Sequence, residues 1–203
     1  MKRIYHSILL ISFLLLTIRC EDQLDIPPAA LTEEGFFTTE DEFEKSIFGT
    51  YQKLIFFYNY RGLNFLQDVW LLPSDDLTSI GSYATETFGT INDNNGDVQN
   101  LYRFLYQLIA RANIVLQKQE ENPEAYLSTD LRNTHRGEAL FLRGYGNYLL
   151  WNHFETAPLV TERIIDPEDA RLPNSSGTQL LDQAILDFQE AATLLPSEWP
   201  DSD

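Results

Sequence analysis

Apolar residues along this chain recur every three or four positions, the spacing of helices that bury one stripe. Phe43, Ile47, Tyr51, Leu54 and Tyr58 follow it, and Thr39-x-x-Glu42 ahead of them is a capping box, so a helix is predicted over about 40–58. Leu101, Leu105, Leu108, Ala112 and Val115 form a second stripe, with Tyr102, Tyr106, Ile109 and Leu116 beside it, over about 97–119. A helix apolar around so much of its girth packs on more than one side. A third helix is predicted at about 129–154, carrying Gly137, Gly144 and Gly146. Each glycine costs about 1 kcal/mol relative to alanine in a helix interior, so the three are read as places where another element comes close. The fourth begins at the capping box Ser176-x-x-Gln179 and runs to about 195, ahead of Pro196.

The intervening stretches have other characters. Residues 60–96 combine "NFLQDVWLLPSDDL", a short helix stopped by Pro73, with the turn-rich loop "GSYATETFGTINDNNGD". Residues 155–174 are a long connection with three prolines, in which "PLVTERII" is the one stretch suited to brief strand pairing. No strand alternation persists over a useful length. Four helices in two sequential pairs give an all-α, tetratricopeptide-like architecture of stacked antiparallel hairpins with long loops. Ala184, Phe188, Ala191 and Pro196 have the spacing of the second helix of a tetratricopeptide repeat, although the first-helix signature is absent at the standard distance.

The N-terminus changes the picture from fold to location. Lys2 and Arg3 precede an apolar run, "ILLISFLLL", too short to cross a bilayer, so residues 1–19 read as an export signal. Cys20, the single cysteine of the chain, follows at once. It cannot form an internal disulfide, and no zinc-like spacing surrounds it. A lipoprotein signal fits: the cysteine becomes the N-terminus and carries a diacylglyceryl thioether, although Arg19 stands where a small residue is usual. Residues 20–38 then read as a lipidated tether. Loss of residues 1–19 leaves 11 basic residues against 31 acidic ones, a net charge of −20. Such a chain repels phosphate backbones, and nucleic acid is excluded as a partner.

Catalytic and metal chemistry find little support. Asp75 and Asp76 are adjacent loop acids, which point apart in solvent more readily than they work as an acid–base pair. His135 and His153 are far apart and lack partners at metal-ligand spacing, so they are read as structural, with no metal and no cofactor. Arg143 sits in the apolar "ALFLRGY" and needs a buried partner. Sugars stack on aromatic rings exposed in loops. Trp70, Tyr83 and Phe88 are therefore the ligand-binding candidates, with core packing as the rival reading. The helix aromatics Tyr102, Tyr106, Phe141, Tyr145 and Tyr148 are read as core or as contacts between repeats.

Six ordered blocks over residues 20–196 carry a resemblance: "CEDQLDIPP", "GFFTTEDEFEKSIFGTYQKL", "LLPSDDL", "LYRFLYQLIARANIVLQ", "RGEALFLRGYGNYLLWNHFETAPLVTE" and "LLDQAILDFQEAATLLP". Together they resemble the SusD/RagB family of outer-membrane nutrient-uptake lipoproteins. Gly144 stands where the family usually has alanine, and Glu155 where a glycine commonly precedes the Pro-Leu-Val turn. The resemblance implies that residues 39–203 are a SusD-like N-terminal helical-repeat domain, since family members run at least as far again. It also implies a surface-exposed lipoprotein of the outer membrane, lipidated at Cys20. Such a protein binds an oligosaccharide or peptide, partners a SusC-like TonB-dependent transporter as its lid, and performs no catalysis. The runner-up reading is a helical-repeat scaffold without a small-molecule ligand, and a surface glycoside hydrolase comes third.

Overall fold

The computed structural model describes residues 32–33, 35–58, 73–76 and 96–199. The chain divides into two units, Met1–Phe36 and Phe37–Asp203. In the first, the described part is a turn closed by the Gly35 N–H donating to the Thr32 carbonyl at 3.2 Å. The second holds four helices: α1 Glu40–Tyr58, α2 Gly96–Glu121, α3 Thr129–Phe154 and α4 Gln179–Leu194. A 3₁₀ turn, Pro123–Ala125, separates α2 from α3, and no strand occurs among the described residues. The all-α expectation holds, and the four helices lie where the periodicity puts them.

Local chemistry fixes the helix starts. A Glu42 carboxylate oxygen accepts from the N–H groups of Thr38 and Thr39 at 2.9 and 3.1 Å, which satisfies donors that the first turn of α1 leaves open. The Ser128 hydroxyl accepts from the Leu131 N–H at 3.2 Å to cap α3. At α4 the expected box is displaced: Gln179 takes the Ser176 N–H at 2.7 Å, but the helix starts at Gln179 itself and its N-cap, Thr178, makes no side-chain cap bond.

Packing then orders the helices. α1 contacts α2 and α3, α2 contacts α3, and α3 contacts α4, so α3 meets all three others. Its glycines make this possible. A Cβ on Gly146 would lie 2.7 Å from Ile109 Cγ1 of α2, one on Gly144 would lie 3.0 Å from Asp187 Cβ of α4, and one on Gly137 would lie 2.9 Å from Leu195 Cγ. Each glycine admits a neighbour that alanine would push away, as the packing reading expected. The core joins Leu101, Leu105, Leu108 and Ile109 of α2 to Leu142, Leu149 and Leu150 of α3, with Phe57 of α1 and Leu180 of α4.

The buried stripe of α1 differs from the predicted one. It runs Phe43, Ile47, Thr50 and Phe57, while Tyr51 is half-buried and Tyr58 is 49% exposed. Tyrosine rings lie along the rim because their hydroxyls need partners: Tyr58 and Tyr145 share a 2.6 Å hydrogen bond there. Of the α2 and α3 aromatics, Tyr102, Tyr106 and Tyr145 pack on the core, whereas Phe141 and Tyr148 face outward, 42% and 37% exposed.

Candidate functional site

The most organised polar cluster centres on Arg143. Because Gly144 lets α4 come close, Asp187 lies beside the guanidinium and accepts from Nε and Nη2 at 2.9 and 2.7 Å, a two-pronged ion pair. The Arg143 side chain is 12% exposed and that of Asp187 only 2%. Arg143 Nη1 donates to Asn113 Oδ1 of α2 at 3.1 Å and to the Thr161 carbonyl at 2.9 Å. Asn113 in turn donates from Nδ2 to the carbonyls of Val160 and Glu162 at 3.3 and 3.0 Å, and Gln183 adds a bond to Asp187 at 2.9 Å. Tyr106 donates to the Pro158 carbonyl at 2.6 Å. The stretch suited to brief strand pairing forms no strand; side chains of α2 and α3 donate to its carbonyls instead. Arg143 ties three helices and the α3–α4 connection together.

Beside this cluster lies a cleft of about 490 Å³ between α2, α3 and the connection, lined by Gln117, Glu120, Arg136, Arg143, Glu162 and Arg163 among others. Arg136 pairs with Glu190 at 2.9 Å and with Glu120 at 3.3 Å. The described ionic pairs here are satisfied within the chain. Its lining sets three arginines against two glutamates, and two of those arginines, Arg136 and Arg143, are held in ion pairs.

The two histidines have structural surroundings. Gln119 Nε2 donates to the Tyr126 hydroxyl at 2.9 Å, which leaves the hydroxyl proton for His135 Nδ1, also at 2.9 Å. Burial lowers the His135 pKa, partly offset by Glu44 and Glu40. His153 places Nδ1 2.8 Å from the Leu149 carbonyl, and burial lowers its pKa as well. Burial raises the Glu138 pKa, while a hydrogen bond from Tyr51 pulls it back. No group of three His, Cys, Asp or Glu residues among the described ones is arranged to hold a metal ion.

Asp75 and Asp76 are exposed in the short turn 73–76. Cys20, Trp70, Tyr83 and Phe88 lie outside the described residues. What sequence reasoning missed is the partner set of Arg143. A signal existed: Asp187 stands on the stripe Leu180, Ala184, Asp187, Ala191, where a carboxylate has no place unless it is paired.

At the end of α3, Glu155 adopts φ 55° and ψ −53°, and the Thr156 N–H reaches the Phe154 carbonyl at 2.5 Å. This is a γ-turn of the sparsely populated hand, which glycine enters far more readily than glutamate. The position is the one where the resemblance expects glycine.

Comparison with known proteins places this architecture. A family model described as "Starch-binding associating with outer membrane", SusD-like, matches residues 69–202. A SusD-like protein of Formosa agariphila is 24% identical over 99% of this chain and 40% of its own length. The crystal structure of a SusD superfamily protein from Bacteroides vulgatus superposes with a TM-score of 0.69 at 29% identity, covering 81% of this chain and 36% of that one. A SusD-like carbohydrate binding protein from the same species gives 0.65 at 22% identity, covering 81% and 37%, and bears on the fold alone. The chain therefore spans well under half the length of these relatives. With its helical hairpins and a family match over most of its residues, the chain belongs to the SusD-like family.

Proposed function

We propose that this chain is the N-terminal portion of a cell-surface binding protein that captures an oligosaccharide and passes it to a TonB-dependent transporter of the outer membrane, acting as its lid. The observation that carries the reading is the family match over residues 69–202, whose description joins starch binding to outer-membrane association. The starch-binding description of the matching family supports glycan as the ligand class. Residues 1–19 serve for export and Cys20 carries the lipid, so the helical stack is displayed outside the cell. Trp70, Tyr83 and Phe88 are the candidate stacking residues. The helical stack supplies a frame and no catalysis.

The test is binding of the purified chain to an oligosaccharide array, followed by calorimetry on the glycans retained. A hit weakened tenfold or more by Trp70→Ala, Tyr83→Ala or Phe88→Ala supports the reading. Binding indifferent to all three aromatic substitutions removes them as the site. A chain that co-purifies with a barrel yet retains no glycan would favour the scaffold reading, with which the internally satisfied charges around Arg136 and Arg143 also agree. Labelled palmitate should enter the wild type and not Cys20→Ser.

A further inference from the structure

We draw no further inference here: the strongest candidate, the exposed apolar surface patch at the α3–α4 seam around Phe141, Phe188 and Ile185, carries nothing because nothing in the structure shows what covers it.

Discussion

Removing the Asp187 carboxylate tests whether the Arg143 cluster holds the helices together. In Asp187→Ala the guanidinium keeps its bonds to Asn113 and Thr161 but loses both bonds to the carboxylate, and Gln183 loses an acceptor. At 12% exposure the arginine side chain has little water to turn to. Breaking a buried pair by removing one partner costs about 3–5 kcal/mol, against roughly 0–1 kcal/mol for an exposed pair. Against a total stability of about 5–15 kcal/mol, the loss is a large fraction of the whole. With a urea slope of about 2 kcal/mol/M, the unfolding midpoint should fall by roughly 2 M. The variant Arg143→Met/Asp187→Leu removes both charges and leaves neither unpaired, so it should lose far less than Asp187→Ala. Urea unfolding followed by circular dichroism reads both variants. The reasoning is refuted if Asp187→Ala costs under about 1 kcal/mol, as a solvated pair would. It also fails if the double variant is as damaged as the single one.

Other consequences are separate. Gly146→Ala gains about 1 kcal/mol of helix propensity, but its Cβ would meet Ile109 at 2.7 Å; overpacking of about 1–3 kcal/mol should win. Ile109→Ala in that background should show less than additive loss in thermal melts. Glu155→Gly should raise stability by about 1 kcal/mol, a shift in Tm of roughly 2–4 °C, because the turn at φ 55° strains a residue with a Cβ; an unchanged or lower Tm would deny that strain. The depressed pKa values of His135 and His153 mean that the unfolded chain takes up protons first as pH falls. Stability should therefore drop from about pH 6.5 downward, until the folded histidines also protonate. Glu138, with its raised pKa, acts in the opposite sense: the folded state binds its proton more readily, so this group alone adds stability as pH falls. Melting temperatures across pH 7 to 5 should thus decline less steeply in His135→Gln, and Glu138→Gln should be more stable than the wild type at pH 7.

The sequence alone determined the helices and the cap of α1, because both are local; the Ser128 cap of α3 was not read, and α4 starts after Thr178 instead of at the Ser176 box. A stripe at 3.6-residue spacing and the Glu42 carboxylate in the first turn of α1 act within one or two turns, and the structure places α1 to α4 where that periodicity expects them. Gly144 and Gly146 were legible as packing sites for a similar reason: an unfavourable residue inside a helix needs a compensating neighbour. The identity of that neighbour was not legible. Asp187 meets Arg143 from 44 residues away, and Asn113 joins it from 30 in the other direction. Only the approach of α4 over Gly144 decides that these groups share one buried network. The same holds for Tyr58 and Phe141, whose apolar character suited a core, yet whose exposure follows from the side of each helix that its neighbours occupy. The candidate binding residues were read from composition and resemblance, since sugar recognition depends on which rings the assembled loops leave in water. Periodicity chooses the elements; close approach between distant segments chooses the partners.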